Sequence, residues 1–231
     1  AAGRLGPDHG TGEPACGGGP AGRAAGYGAG DPRPCAEHDQ PRPGSPYAAS
    51  KLAAESYALA YQAGFGLPVL VARLFDVFGP YQSPRHADTA VIPSFVAAAL
   101  AGRPLVVPGD GRQLRDFTYV EQVAAVLADA ACRGVVHDGP VNLATGTATD
   151  PLAVIGHLER ILGRTLDIEH TTAPAFAEYM GDRWADTGVM RSLFPDVPGI
   201  DLGEALAHTV AWYESRATAA RAEADVPSAI R

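Results

Sequence analysis

Tyr47 and Lys51 are the pair in this chain whose types and spacing suit proton transfer. Four apart on a helix, they lie on one face, one turn from each other. A free phenol ionises only near pH ~10, and a neighbouring ammonium favours its phenolate form. Such a tyrosine can move a proton on or off a sugar or alcohol hydroxyl while hydride moves elsewhere. The sequence supplies the helix. Ser45 can cap its start, and Pro46 suits the first helical position. Ala48, Ala49, Leu52, Ala53 and Ala54 favour helix, and Gly64 offers a stop. On its own, Tyr-x-x-x-Lys says little, because most such pairs on helices are only solvated faces.

The flanking stretches add to it. Ser-Pro-Tyr-Ala-Ala-Ser-Lys-Leu-Ala-Ala-Glu (45–55), Arg-Leu-Phe-Asp-Val-Phe-Gly-Pro (73–80) and Gly-Asp-Gly-Arg-Gln-Leu-Arg-Asp-Phe (109–117) follow one another at compatible spacing. In this the chain resembles the extended short-chain dehydrogenase/reductase family, and within it the NAD-dependent sugar-nucleotide epimerases and dehydratases. The resemblance runs from about Ala25 to Tyr213. It implies an α/β fold: the C-terminal part of a Rossmann-type parallel sheet, interleaved with a small α/β substrate domain. It implies NAD as cofactor and a nucleotide sugar as substrate. Tyr47 and Lys51 would be catalytic and would also meet the nicotinamide ribose. Phe75 would touch the nicotinamide end of the cofactor. Asp76 and Arg115 would bind substrate, Arg115 by clamping the diphosphate through bidentate guanidinium bonds.

Three departures accompany the resemblance. The position of Asp76 is usually Asn, and a carboxylate beside a pyrophosphate is repulsive unless a cation intervenes. A Ser or Thr usually stands before the catalytic tyrosine, where this chain has Arg23. An Arg that often binds the second phosphate is replaced by Tyr179, and Arg183 is the nearby basic residue. The reaction implied is UDP-glucose 4-epimerase-like. A nucleotide-sugar 4,6-dehydratase is the near alternative, although it usually needs an acidic pair this chain lacks. A remnant without catalysis that pairs with another chain is the alternative of a different class.

Residues 1–44 contain 12 glycines and 7 prolines, and Leu5 is their only large aliphatic residue. Such a segment cannot bury enough apolar surface to offset chain entropy. Residues 1–24 are therefore expected to be disordered, residues 25–216 to form a partial epimerase/dehydratase domain, and residues 217–231 to be a tail. Gly22-Arg-Ala-Ala-Gly-Tyr-Gly28 imitates a dinucleotide fingerprint, but no apolar strand precedes it. Only 18 residues separate Gly28 from Tyr47, whereas a βαβ unit takes roughly 30 or more. The nucleotide-binding βαβ units are therefore expected to be absent. Gly26, Gly28, Pro34, Glu37 and Pro43 fit instead the loop that precedes the family's catalytic tyrosine.

Beyond the helix, Pro68 to Phe75 is a continuous apolar run, the pattern of a strand buried on both faces. A helix is expected over 89–101, a short strand at 105–107 and a half-buried strand over 113–119. Asp116 offers a capping or salt-bridging carboxylate beside Arg115. A helix over 120–132, a strand at 140–144, a helix over 152–162, an edge strand at 166–170 and a helix opened by the capping box Asp201–Glu204 complete the pattern. Asn142 reads as fixing a turn.

The net charge of −8 argues against a nucleic-acid surface. No run of 18 apolar residues suggests a membrane span, and no apolar signal core opens the chain. Cys16, Cys35 and Cys132 are far apart, and the seven histidines are scattered, so no disulfide framework or metal site is indicated. A cytoplasmic protein, with a homodimer as a possible assembly, is expected.

Overall fold

The structure, a computed structural model, describes residues 33–82, 90–172 and 181–224. The 1–24 segment, the glycine fingerprint at 22–28, Tyr179 and the end of the tail lie outside the described residues. Helix α1 (Pro46–Phe65) starts where Ser45, in extended conformation, accepts the Ala48 N–H on its hydroxyl. It stops at Gly66, which takes the left-handed conformation at φ 66°. The stop is two residues beyond Gly64, because Gly66 supplies the positive φ that closes the last turn.

Strand β1 (Val71–Leu74), helix α2 (Val91–Leu100), strand β2 (Leu105–Pro108) and helix α3 (Val120–Arg133) follow. Then come strand β3 (Pro140–Leu143), helix α4 (Pro151–Leu162), strand β4 (Ile168–Thr171), helix α5 (Gly188–Leu193) and helix α6 (Leu202–Ala224). Asp150 caps α4 by accepting the Ala153 N–H at 2.7 Å, with Pro151 in the first turn. Asp201 accepts the Gly203 N–H at 2.8 Å at the start of α6. Helix α6 runs on through residues 217–224, which the sequence suggested were tail.

Pairing alternates along the chain. β1 pairs with β3 in parallel, Val71 opposite Pro140 and Leu74 opposite Leu143. β2 pairs with β4 in parallel, Leu105 opposite Ile168 and Pro108 opposite Thr171. Two α/β units are thus interleaved, each with its own core. One core packs Phe95, Val96, Leu105, Val107, Leu158 and Leu206 between β2, α2, α4 and α6. The other packs Val126, Val141, Leu143 and Phe194 between α3, β3 and α5.

Two strand expectations need correction. β1 is not buried on both faces: Val71, Ala72 and Arg73 are half-buried and Leu74 is 54% exposed. Among the described residues β1 has a partner on one edge only, and α1 buries only Ala48, so the cover on the strand is partial. Residues 113–119 form no continuous strand. Arg115 exchanges two backbone hydrogen bonds with Thr149, both 2.8 Å, while Tyr119 pairs with Phe78. The segment crosses from one unit to the other, so its backbone is satisfied by different partners in turn, and residues 115–119 are all buried.

Candidate active site

Tyr47 lies in the first turn of α1 and Lys51 in the next. The Lys51 ammonium stands 5.3 Å from the centre of the Tyr47 ring. Both side chains are exposed, Tyr47 at 67%. The two side chains therefore stand together and exposed, with the ammonium within cation–π distance of the ring. α1 is tied down by Glu55, whose carboxylate receives two bonds from Arg73 of β1, at 2.7 and 2.6 Å. Arg73 also donates to the Glu37 carbonyl at 3.1 Å.

Phe75, just past β1, is nearly fully buried with Cys35, Ala144 and Ala185. Its ring is spent in packing. Asp76 follows with φ 28°, in the left-handed region that side chains other than Asn and Asp rarely enter. Arg183 holds its carboxylate at two points, Nη2–Oδ1 at 2.7 Å and Nε–Oδ2 at 3.3 Å. This supplies a cation beside the carboxylate that stands where an amide is usual.

Arg115 is 8% exposed. Its guanidinium donates to the carbonyls of Leu114, at 2.8 Å, and Gly181, and to Gln113 Oε1 at 2.8 Å. Burial pulls its pKa down to about 10, nearby Arg183 adds to that, and Asp76 and Asp182 pull it back up. Arg115, Arg183, Asp76 and Asp182 thus form one charge cluster.

Asp116 does not pair with Arg115. It is fully buried and accepts the N–H and hydroxyl of Thr145, at 2.9 and 2.6 Å, the Gly146 N–H at 2.9 Å and the Ala185 N–H at 3.2 Å. Burial raises its pKa and these four bonds oppose the rise. Its part is that of a cap, fixing the turn after β3 against the 181–186 segment. Asn142 fixes more than a turn. Its Nδ2 donates to the carbonyls of Cys35, at 2.8 Å, and Asp186, at 3.0 Å, while its N–H donates to Glu37 Oε1 at 3.0 Å. These ties, which sequence reasoning missed, hold residues 35–37 against the end of β3. Buried amides and carboxylates that serve several distant segments leave no local pattern; only their polarity within apolar runs hints at them.

Among the described residues no group of three His, Cys, Asp or Glu side chains stands together as a metal site. No helix among them is long and apolar enough to cross a membrane.

Comparison with known proteins bears on what this arrangement serves. Residues 21–144 match the model of the NAD dependent epimerase/dehydratase family. The uncharacterized UDP-glucose epimerase YtcB of Bacillus subtilis is 29% identical over 173 residues, covering 75% of this chain and 53% of that protein. The UDP-N-acetylglucosamine 4-epimerase from Methanobrevibacter ruminantium M1 superposes with a TM-score of 0.76 at 29% identity, covering 84% of this chain and 62% of that one. The dTDP-glucose 4,6-dehydratase from Bacillus anthracis, solved in complex with NAD, superposes with a TM-score of 0.71 at 30% identity, covering 83% and 59%. The chain therefore spans between half and two thirds of these relatives' lengths. The matched sequence and the superposition agree: this chain belongs to the NAD-dependent epimerase/dehydratase family.

Proposed function

We propose that this chain is the catalytic-helix and substrate-binding part of an NAD-dependent epimerase acting on a nucleotide sugar, UDP-glucose 4-epimerase-like. The observation that carries the reading is the Tyr47–Lys51 pair, exposed on one face of α1 with the ammonium 5.3 Å from the ring. The donor set, a phenol and an ammonium, fits the nicotinamide-ribose end of NAD, which Phe75 would also meet. For the pyrophosphate and adenosine end, the described residues before α1 hold no strand, glycine loop and helix. When bound, NAD would supply the acceptor for a hydride from a sugar carbon. Tyr47 Oη would take the proton of that carbon's hydroxyl and return it later. Lys51 would bind the ribose hydroxyls and stabilise the phenolate as it forms. Asp76 and Arg115 stand in the charged cluster at the end of β1, where the substrate's diphosphate would lie.

The exposed row Tyr57, Tyr61 and Phe65 on α1 supports pairing of two copies. We place the protein in the cytoplasm, with no nucleic-acid or membrane partner. Among relatives of the same family, a 4,6-dehydratase is the second reading, supported by the likeness to the Bacillus anthracis enzyme. The test is Tyr47→Phe in the chain joined to a family member's dinucleotide-binding half. Turnover should fall roughly 10²–10⁴-fold, the usual weight of acid–base catalysis. Turnover equal to that of the unsubstituted fusion would refute the assignment.

A further inference from the structure

Two arginines and two aspartates converge just past the end of β1. Asp182 Oδ1 accepts the Leu114 N–H at 2.8 Å, and the Arg183 N–H donates to the Leu114 carbonyl at 2.9 Å. These bonds bind residues 113–115 to residues 181–183. Within that frame the two guanidinium groups differ. Arg115 is turned inward, onto the Leu114 and Gly181 carbonyls and Gln113. Arg183 reaches out to Asp76, with side chains 12% and 26% exposed respectively. Asp76 offers it a carboxylate, which a phosphate group can replace through two of its oxygens with the same two-point geometry. A main-chain carbonyl held by the fold has no such substitute.

The backbone conformation belongs to the same contact: Asp76 sits at φ 28°, in the left-handed region that Asp enters more readily than most residues, with its carboxylate held by Arg183. Among the described residues these four charges sum to zero, so a diphosphate arriving at this end of the sheet meets no net positive charge from them. For Arg183 to offer a full positive charge, Asp76 must release it.

We propose that the Asp76–Arg183 ion pair is an exchangeable clamp, in which a nucleoside diphosphate takes the place of the Asp76 carboxylate on the Arg183 guanidinium. This rests on the nucleotide-sugar reading and deepens it. Asp76 is the competitor that sets affinity, and Arg183 is the cation that receives the phosphate. Arg115 contributes its charge from behind that contact. Binding then depends on the ligand carrying enough negative charge to displace a carboxylate, so an uncharged nucleoside gains nothing from the clamp.

The test is calorimetric titration of the full chain with UDP, and with uridine as the uncharged control. The variants are Asp76→Asn, Arg183→Gln and the two combined. Asp76→Asn removes the competitor while keeping the side chain's shape, and should tighten UDP binding ~10-fold, within the coupling range of contacting charges. Arg183→Gln should weaken UDP binding, and should cost more in the Asp76→Asn background, where no pair had to be broken. Uridine affinity should be the same in all four proteins. Asp76→Asn by itself decides the matter if Arg183→Gln does not fold. UDP binding that is unchanged or weaker in Asp76→Asn overturns the clamp and leaves the nucleotide-sugar reading standing. No binding of UDP or of dTDP by the unsubstituted chain overturns both.

Discussion

Glu55 grips Arg73 at two points, Oε2 on Nε at 2.7 Å and Oε1 on Nη2 at 2.6 Å. Glu55 lies one turn beyond Lys51 and two beyond Tyr47, so this pair sets how α1 is rotated about its axis above β1. The helix has little else to fix it: Ala48 is its one buried side chain. The direction in which the Tyr47–Lys51 pair faces is therefore controlled by a contact outside that pair.

Glu55→Ala should destabilise the fold, because it leaves Arg73 half-buried without its carboxylate. Breaking a buried pair costs about 3–5 kcal/mol, and exposures of 15% and 14% put this one near the lower end. Urea unfolding of Glu55→Ala, Arg73→Ala and the double variant measures it. The double variant should lose less than the sum of the singles. A loss below ~0.5 kcal/mol in Glu55→Ala, typical of a surface pair, would contradict the anchoring role.

Gly79→Ala should also destabilise the protein. Gly79 has φ 142°, and a Cβ there would sit 2.6 Å from Val120 Cγ1 and 3.1 Å from the Tyr119 ring. Phe78, just before it, is bonded to both ends of this crossing, donating to the Thr118 carbonyl at 2.9 Å and accepting the Val120 N–H at 2.8 Å. The chain cannot move aside without breaking these bonds, so about 1–3 kcal/mol is expected, the usual cost of overpacking. A melting temperature equal to that of the unsubstituted protein would show that the crossing has more room than the structure gives it.

His157, on α4, should make the fold sensitive to mild acid. Burial lowers its pKa below 6.5, Arg160 adds to this, and Asp201 works against it. The unfolded chain therefore takes up the proton at a higher pH than the folded one. The stability linked to His157 is present above about pH 6.5 and is lost as pH falls from there through the folded value. His157→Gln should lose less stability than the unsubstituted protein between pH 7 and pH 5. Parallel loss in both, followed by denaturant midpoints, would contradict the assignment.

The 231-residue chain should bind NAD weakly. On the proposed reading Tyr47, Lys51 and Phe75 would meet only the nicotinamide end, whereas a dinucleotide gains most of its binding at a glycine loop and helix N-terminus. Titration of the monomeric protein with NAD should give no saturable heat at micromolar concentrations. Micromolar binding at one site per chain would mean that the glycine-rich segment forms a phosphate loop after all.

Much of this fold was legible because it is locally encoded. Ser45-Pro46 and Asp150-Pro151 mark helix starts through their own side chains, and Tyr47 and Lys51 meet by helical spacing alone. Residues 113–119 misled because alternation predicts a strand only when one partner continues alongside, and here Thr149 and Phe78 each supply one end. Asp76 was identified as a carboxylate needing a cation, but its partner Arg183 lies 107 residues away, beyond any local pattern. Arg115 was expected to clamp a diphosphate; its guanidinium donates to the neighbouring Leu114 carbonyl, to Gln113 and to the Gly181 carbonyl 66 residues on, and no local pattern announces that last partner. Asn142 and Asp116 are of the same kind, polar groups whose partners the tertiary fold alone brings near.

The central claim is that this chain holds the substrate site of a nucleotide-sugar enzyme. Calorimetric titration of the 231-residue protein with UDP-glucose and dTDP-glucose tests it most directly. We predict saturable binding of at least one of them at one site per chain, displaced by its nucleoside diphosphate, with no response to free glucose. The absence of saturable binding by a folded preparation, with either sugar nucleotide, would contradict the account.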